Sequence, residues 1–255
     1  MIVLRSILYN LLFYLNLVVL LLVAFVAMLL PKIAVIRMSQ AWGRTSVWLL
    51  RVVCGTKVEF RGLERLPKGP LIIAAKHQST WETFALLRLF DDFTFVVKRE
   101  LMWIPIFGWC MWRARMIPVD RSAGTQALND MLARAKQEVQ SGRQLVIFPE
   151  GTRRAPGAPP DYKTGFAQIY SSCGVPCLPI ALNSGLFWPR RTFMRYPGTL
   201  VVEFLDPLPA GLPKDEYLSR VQTAIEEATS RLVEAGRKEQ EQLIGSAPSY
   251  APTGS

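Results

Sequence analysis

The chain begins with a long apolar stretch that carries no charge. No charged residue occurs from Ser6 to Leu30, and residues 11–30 are almost all Leu, Val, Phe and Ala. A helix needs about 20 such residues to cross the hydrocarbon core of a bilayer. A cleaved signal peptide would have a shorter apolar core and a small-residue cleavage site, and no such site precedes Pro31. The stretch therefore predicts a membrane-attached chain, with an anchor that either spans the bilayer or enters it as a re-entrant hairpin.

Basic residues follow the apolar stretch at a helical spacing. Arg37, Arg44 and Arg51 repeat every seven positions, so they share one face of a helix predicted over residues 33–53. A basic amphipathic helix beside a membrane segment is typical of a surface that contacts anionic headgroups, although a solvated charge stripe has the same pattern. Residues 1–54 are thus predicted to be the membrane-anchoring helices. The concentration of Lys and Arg places the rest of the chain on the cytoplasmic side.

The net charge of +10 and the pI near 9.7 would also suit a nucleic-acid-binding protein. No zinc-finger, RNP or repeated basic-aromatic pattern accompanies the charge, and a membrane anchor accounts for it. We therefore expect no nucleic-acid partner. The chain has one histidine, and its four cysteines have no zinc-knuckle spacing, so we expect no bound metal.

Strand-like and helix-like segments alternate over the rest of the chain. Strands are predicted at 57–61, 71–76, 93–98, 115–119, 144–148, 178–182 and 200–204. Helices are predicted at 83–89, 125–140, 165–172 and 214–244, the last interrupted at Gly236. This alternation predicts an α/β domain over residues 55–245, with a mostly parallel mixed sheet flanked by helices. The Ala/Pro/Ser/Gly composition of residues 246–255 predicts a disordered tail.

The only histidine follows the second predicted strand. His77 carries the one imidazole of the chain, the side-chain type best suited to exchange a proton near neutral pH, and Glu82 lies five positions later. Within one helix these side chains would lie roughly 140° apart, so they can meet only across the predicted strand-to-helix turn, where open α/β sheets place active sites. His77 is therefore the candidate general base and Glu82 the group that holds its ring. The pair Ser79 and Glu82 also has the pattern of a capping box, in which Glu82 would only bond backbone N–H groups.

Two other predicted strands deliver arginine at their carboxyl ends. An arginine side chain suits bidentate capture of a phosphate, and a surface ion pair beside a turn is the alternative. The residues that these two strand ends present are Arg121, Glu150, Gly151, Thr152 and Arg153.

Four blocks of this sequence occur in the order found in the glycerolipid acyltransferases. They are the block from His77 to Glu82, Pro-Val-Asp-Arg at 118–121, Phe-Pro-Glu-Gly-Thr-Arg at 148–153 and Val-Pro-Cys-Leu-Pro-Ile at 175–180. Over roughly residues 58–205 the chain resembles this family, and within it the bacterial 1-acylglycerol-3-phosphate acyltransferases most. The family's histidine block usually ends in aspartate. Here Glu82 stands in that place, one methylene longer and still a carboxylate.

The resemblance implies transfer of a fatty acyl group from acyl-carrier protein or coenzyme A to the sn-2 hydroxyl of a lysophosphatidate, without a cofactor. It implies an enzyme of the cell inner membrane whose catalytic domain faces the cytoplasm. His77 would deprotonate the hydroxyl and Glu82 would fix the histidine tautomer. Residues 103–112 would line the acyl-chain groove or form a buried apolar loop. For the acceptor, the implied binding residues are Lys98, Arg121 and Arg153 around the phosphate, with Glu150, Gly151 and Thr152 shaping the site.

Three other functions fit parts of the sequence. An acyltransferase for another lyso-lipid, such as lyso-ornithine lipid, would use the same blocks. A non-catalytic membrane-surface lipid-binding protein would keep the fold without using His77. A hydrolase or thioesterase would need a serine or cysteine nucleophile in reach, and no G-x-S-x-G element occurs.

Overall fold

The computed structural model describes residues 1–27, 29–120 and 124–245. Arg121 and the predicted tail at 246–255 lie outside these residues. The helices are α1 (Ile2–Ala27), α2 (Lys32–Cys54), α3 (Trp81–Ala85), α4 (Phe107–Arg113), α5 (Gly124–Gln140), α6 (Thr164–Cys173), α7 (Ser184–Phe187) and α8 (Lys214–Ile244). Short 3₁₀ turns occupy Leu63–Arg65, Leu86–Leu89 and Arg99–Trp103. The strands are β1 (Thr56–Arg61), β2 (Leu71–Ala75), β3 (Phe93–Lys98), β4 (Ile117–Val119), β5 (Gln144–Ile147), β6 (Cys177–Leu182) and β7 (Gly198–Phe204).

The strands of the described chain form one sheet in the order β1-β7-β6-β2-β5-β3-β4. Neighbouring strands run parallel, except that β7 is antiparallel to β6. The central strand β2 consists of a continuous apolar run, as expected for a parallel strand that is covered on both faces. The predicted mostly parallel mixed sheet is therefore confirmed.

Alternate side chains of β2 point into two different apolar layers. Leu71, Ile73 and Ala75 join the layer that α1, α2 and α3 complete. Ile72 and Ala74 join the layer that α5, α6 and α8 complete. This period of two is the geometry of a strand, and it places the N-terminal helices on one face of the sheet only.

Helix α1 packs one side against the domain and exposes the other. Ser6, Tyr9 and Phe13 are buried, and Ser6 Oγ accepts a hydrogen bond from the backbone N–H of Arg195 at 2.9 Å. The outward side chains are large and apolar, for example Leu4 with 71% of its surface exposed. Within the described part of the chain, α1 is the one helix long and apolar enough to cross a membrane. Burial therefore follows the contact with the domain and not the hydrophobicity of the residue.

Helix α2 has the predicted length, and its three arginines behave as one face. Arg37, Arg44 and Arg51 are all exposed, whereas Ile36 and Leu50 are fully buried in the layer shared with α1. The arginine face of α2 therefore points away from the layer shared with α1.

The predicted interruption of the last helix at Gly236 is wrong, because α8 runs without a break from Lys214 to Ile244. Gly236 is buried, and a Cβ atom there would lie 2.7 Å from Leu186 Cδ1 and 3.0 Å from Asn183 Nδ2. The glycine allows α8 to lie close to α7, and this packing outweighs its weak helix propensity.

The region between β3 and β5 also differs from the prediction. Strand β4 begins at Ile117 instead of residue 115, because Arg115 adopts a left-handed conformation with φ of 56°. The aromatic loop predicted before it contains the helix α4, which begins at Phe107.

Candidate active site

The candidate site lies where the parallel strands end, and the strand register brings its parts together. In the pair β2–β5, Ala74 is opposite Ile147. Three residues further along each strand lie His77 and Glu150. They meet as the register requires, since the backbone N–H of His77 donates to Glu150 Oε2 at 3.2 Å.

The histidine and the glutamate of the first motif are in direct contact. His77 Nδ1 lies 2.9 Å from Glu82 Oε1. Glu82 is fully buried and its other contacts are all with donors, so the carboxylate acts as the acceptor and Nδ1 carries the proton. The lone pair of the imidazole is then on Nε2, the nitrogen that a general base would use. His77 lines the cavity described below, so this base has access to a ligand.

The same carboxylate also takes the capping role. Glu82 Oε1 accepts the backbone N–H groups of Gln78 and Ser79, both at 2.7 Å, and Oε2 accepts the hydroxyl of Ser184 at 2.9 Å. Partnering the histidine and capping the turn are therefore compatible, and one carboxylate does both. These three donors fix the carboxylate in position, and the carboxylate in turn holds its fourth donor, His77 Nδ1.

A second buried network lies directly behind the histidine. Lys76 Nζ contacts Glu150 Oε1 at 2.8 Å and Glu226 Oε1 at 2.6 Å, and Tyr162 donates its hydroxyl to Glu226 at 2.9 Å. Burial raises the pKa of the Glu150 carboxyl, and the adjacent Lys76 ammonium acts in the opposite direction. Glu150 thus holds the backbone N–H of His77, and α8 contributes Glu226 to the same network.

Two further contacts hold the ring and backbone of His77. The Phe148 ring stacks on the imidazole, with 4.1 Å between centroids and 17° between planes. The backbone N–H of Arg154 donates to the carbonyl oxygen of His77 at 2.8 Å. Phe148, the residue that follows β5, therefore packs directly against His77.

His77 opens into a cavity of about 990 Å³ that is lined mostly by apolar side chains. The helices α1, α2 and α4 supply the wall opposite the sheet, with Leu21, Trp42 and Met111 among the lining residues. Ligand pockets are typically clefts of about 300–1,000 Å³ lined mostly by apolar side chains, so this cavity has the size and lining of a site for a largely apolar ligand.

Three cationic side chains also line the cavity, and Arg153 is connected to the turn that carries His77. Arg153 donates from Nη1 to Thr80 Oγ1 at 2.7 Å. Lys98 is more than half exposed and pairs with Glu100 at 2.8 Å. Lys163 pairs with Asp161 at 2.8 Å. The described part of the site thus joins an imidazole, an apolar cavity and several cations, a combination suited to an anionic amphiphile.

Comparisons with known proteins agree with this geometry. Residues 57–183 match the family model described as Acyltransferase. The chain is 41% identical to a 1-acyl-sn-glycerol-3-phosphate acyltransferase of Pseudomonas aeruginosa over 179 residues, which is 70% of each chain. This chain belongs to the acyltransferase family.

Two more distant relatives of this acyltransferase chain show how far the likeness extends. The chloroplastic 1-acyl-sn-glycerol-3-phosphate acyltransferase BAT2 of Brassica napus is 34% identical over 128 residues, 49% of this chain and 37% of that protein. The crystal structure of the 1-acyl-sn-glycerophosphate (LPA) acyltransferase of Thermotoga maritima has a TM-score of 0.73 at 22% identity, covering 90% of this chain and 97% of that one. The latter match establishes the fold.

Most of the residues predicted to form the acyltransferase site line the cavity. Besides His77, the residues of that prediction that line the cavity are Lys98, Glu150, Gly151, Thr152 and Arg153. Gly151 adopts φ of 64°, a conformation that favours glycine and turns the chain sharply after β5. Arg121 lies outside the described residues. The roles of these residues in binding a substrate remain predictions.

Sequence reasoning missed four polar residues of the site. Ser184 follows the carboxyl end of β6, next to β2, so the sheet order would have placed it here. Lys76 precedes His77 and carries a charge at the end of a buried strand, which is itself a signal for a buried partner. Glu226 and Lys163 carry no local signal in the sequence. In the described residues, no cluster of His, Cys, Asp and Glu suits a metal ion.

Proposed function

We propose that this protein transfers a fatty acyl group from an acyl thioester to the sn-2 hydroxyl of 1-acylglycerol-3-phosphate, giving phosphatidate for phospholipid synthesis. The observation that carries the proposal is the contact of His77 with buried Glu82 at the edge of an apolar cavity. The similarity to the Pseudomonas aeruginosa protein supports the choice of acceptor.

The chemistry follows from the tautomer that Glu82 selects. His77 Nε2 accepts the proton of the acceptor hydroxyl while that oxygen attacks the thioester carbonyl. The tetrahedral intermediate then loses the thiolate, which takes the proton back from the imidazolium. One C–O bond forms, one C–S bond breaks and His77 returns to its starting state. Glu82 stabilises the imidazolium in between, as the carboxylate of a hydrolase triad does, and general base catalysis of this kind contributes about 10²–10⁴ in rate.

The acceptor phosphate is assigned to the cations that line the cavity near His77. Arg153 is the first choice among them, because its guanidinium donates a hydrogen bond to Thr80 in the turn that carries His77. Lys98 and Arg121 are assigned supporting roles from the resemblance alone. The planar guanidinium of an arginine matches two phosphate oxygens in a bidentate geometry, whereas a lysine ammonium acts as a point charge.

The membrane location is proposed from the exposed side of α1. That side presents apolar residues along the whole helix, whereas its other side packs on the domain from Ser6 to Ala27. A helix that contacts the domain along its length and lipid along its outer side lies embedded at the surface, with the domain against the headgroups. We place the protein on the inner membrane with its catalytic domain on the cytoplasmic side, where Lys and Arg concentrate.

The acyl donor is a thioester of acyl-carrier protein or coenzyme A. Both deliver the same carbonyl group to His77, and the acyl chain fits the apolar cavity in either case. The two donors differ only in the group that remains outside the cavity.

The first experiment assays membranes that carry the full chain, with lysophosphatidate and a labelled acyl thioester. Wild type is expected to give labelled phosphatidate, and His77→Ala is expected to lose about 10²–10⁴ in rate because the base is gone. Failure of wild type to form phosphatidate would contradict the proposal. Full activity of His77→Ala would leave a lipid-binding or differently catalysed function in its place.

A second experiment tests the acceptor with a matched pair of arginines. Arg153 lines the cavity, whereas its neighbour Arg154 pairs with Asp161 at 3.5 Å. Arg153→Ala should raise the KM for lysophosphatidate by about tenfold through loss of a charge-assisted contact, and Arg154→Ala should leave it near the wild-type value. Lyso-ornithine lipid as the preferred acceptor of wild type would overturn the assignment of the substrate but not of the reaction.

A further inference from the structure

The segment between β3 and β4 presents an unusual set of exposed aromatic side chains. Residues 101–112, called here the tryptophan segment, contain no charged residue. Three of their side chains are at least half exposed: Trp103 at 70%, Trp109 at 50% and Trp112 at 74%. Soluble proteins rarely expose several large apolar groups together, and such patches mark a partner or a membrane.

The tryptophan segment is apolar on both of its sides. Phe107, Cys110 and Met111 of α4 line the cavity, and Trp109 and Trp112 are three positions apart on the outer side of the same helix. A helix that is apolar all round is expected in a core or in lipid. Here the inner side already has its cavity, so the outer side needs a separate apolar partner.

The fold holds this segment in a fixed, tight shape. Ile106 adopts φ of 63°, a costly conformation for a β-branched residue. A Cβ at Gly108 would lie 2.0 Å from the carbonyl oxygen of Met102, so the two stretches of backbone touch. Strain of this kind persists where the surrounding structure imposes it. The outward tryptophans are therefore part of the built structure.

The tryptophan segment continues the exposed apolar side of α1. The rings of Phe25 and Trp109 lie 6.1 Å apart, and Arg113 Nη2 donates to the carbonyl oxygen of Leu30 at 2.7 Å. Near this junction, Val26 and Leu29 are 64% and 88% exposed. Two elements that both line the cavity thus share one apolar outer surface.

Length and flanking charge indicate which partner covers this surface. An uncharged stretch of about 10–14 residues is too short to span a bilayer and fits an interfacial or re-entrant segment. Basic residues flank it on both sides, at Lys98, Arg99, Arg113 and Arg115. Tryptophan prefers the depth of the headgroups, and basic side chains extend from there to the lipid phosphates.

We propose that the tryptophan segment is a second membrane-inserted element, which enters the bilayer beside the C-terminal end of α1 and aligns the cavity with the lipid. This inference rests on the membrane location proposed above for α1. It gives the apolar wall of the cavity two contacts with the lipid, one at α1 and one at α4. The lyso-lipid can then move between bilayer and cavity without crossing water.

The test uses the full chain in vesicles of phosphatidylcholine and phosphatidylglycerol, with or without bromine on the acyl chains. Bromine quenches only tryptophans that contact the acyl chains. Three of the four tryptophans that are at least half exposed lie in the segment, the fourth being Trp48. Replacing Trp103, Trp109 and Trp112 by Phe should therefore remove more than half of the quenchable emission. Trp188→Phe, at a buried position, should remove none.

An activity measurement separates a lipid contact from a structural role. Trp112→Glu should lower kcat/KM by about tenfold or more with lysophosphatidate carried in vesicles, because a carboxylate is costly in the bilayer. The same variant should match wild type with a short-chain, water-soluble lysophosphatidate. Leu63→Glu, an exposed leucine beside β1 at the opposite edge of the sheet, is the control and should match wild type with both.

Three results would overturn the inference. The first is unchanged quenching in the Phe variant. The second is equal loss of activity by Trp112→Glu on both substrates, which would make the residue structural. The third is cross-linking of two chains through the segment in the vesicles, which would make a second copy the partner. The soluble-substrate assay of wild type tests acyl transfer itself, so a failure of the proposed function is recognised separately.

Discussion

The cavity has a polar floor and an apolar wall, and the two are built on different principles. What we call the floor consists of His77 and Glu150, which line the cavity, together with the side chains that hold them, Lys76, Glu82 and Ser184. All five form directional bonds to buried partners. The wall consists of apolar side chains of α1, α2 and α4. A hydrogen bond fails when an atom moves by about 1 Å, whereas apolar contact is non-directional. We therefore expect the floor to tolerate almost no substitution and the wall to tolerate many.

The largest expected effect comes from Glu82→Gln, which tests whether the floor works by charge or by shape. The amide can still accept the N–H groups that reach Oε1, and Ser184 can accept from its NH₂ group. Geometry is kept, but the charge that stabilises the imidazolium is lost. We expect kcat to fall by about 10²–10⁴, measured as initial rates of phosphatidate formation.

The control for this variant is Glu239→Gln. Glu239 accepts two bonds from Thr199 at 2.8 Å each, away from the histidine, so its loss should affect stability and not kcat. If Glu82→Gln is as fast as wild type, Glu82 only caps the turn, and the catalytic step does not depend on its charge.

Lys76→Met tests how much the buried ion pair between Lys76 and Glu150 contributes to stability. The substitution leaves Glu150 buried without its cation. Breaking a buried ion pair in this way costs about 3–5 kcal/mol, to be measured as the loss in the free energy of unfolding in detergent. The double variant with Glu150→Gln removes both charges and should recover part of this loss. If the double variant instead loses the sum of the two single-variant losses, Lys76 and Glu150 are not coupled.

Ser184→Ala removes one of the four donors to Glu82. A hydrogen bond to a charged group contributes about 1.5–3 kcal/mol, and three donors remain. We expect that loss in the free energy of unfolding and a smaller reduction in kcat than Glu82→Gln gives. Ser184→Thr keeps the hydroxyl and should retain more activity than Ser184→Ala. A kcat of Ser184→Ala equal to that of wild type would contradict a role for the hydroxyl.

The raised pKa of Glu150 predicts a dependence of stability on pH. Above the ordinary value of 4.5, the native chain binds more protons at this site than the unfolded chain does. The free energy of unfolding therefore falls as pH rises from 4.5 through the native pKa, by at most about 1.4 kcal/mol per pH unit. Urea titrations at several pH values should show a shallower fall for Glu150→Gln. Identical slopes would exclude Glu150 as the source.

The smallest effect is expected in the wall. Leu21 lines the cavity, whereas its neighbour Leu22 is 58% exposed on the outer side of α1. Leu21→Ala enlarges a space that already exists, so we expect a shift toward longer acyl chains and a change in kcat of only a few fold. Leu22→Ala should leave chain preference unchanged. A loss of activity in Leu21→Ala as large as in Glu82→Gln would remove the distinction between wall and floor.

The floor was only partly predictable from the sequence. His77 and Glu150 could be placed together because both follow buried strands, and parallel strands end at one edge. Glu226 could not be placed, because it comes from the last helix and its carboxylate reaches Lys76 across 150 positions of the chain. Local patterns carry no information on such a pairing.

The wall shows the opposite limit. Hydrophobicity predicted α1 as a membrane segment but could not tell its two sides apart, since apolar residues occur all round the helix. Its inner side carries the aromatic residues Tyr9 and Phe13 together with small or polar residues such as Ser6, Asn10 and Ala24. Gly236 was misjudged for a related reason: its effect depends on what packs against it and not on its own propensity.

The ion pair between Lys76 and Glu226 has a consequence for the order of events during synthesis. Helix α1 is made before the strands and helices that form the site. The base at His77 follows early, but its support is incomplete until residue 226 emerges and α8 packs onto β6. On the membrane location proposed above, the nascent chain would therefore meet lipid before its active centre is complete. The order of the elements along the chain would then separate membrane contact from the onset of acyl transfer.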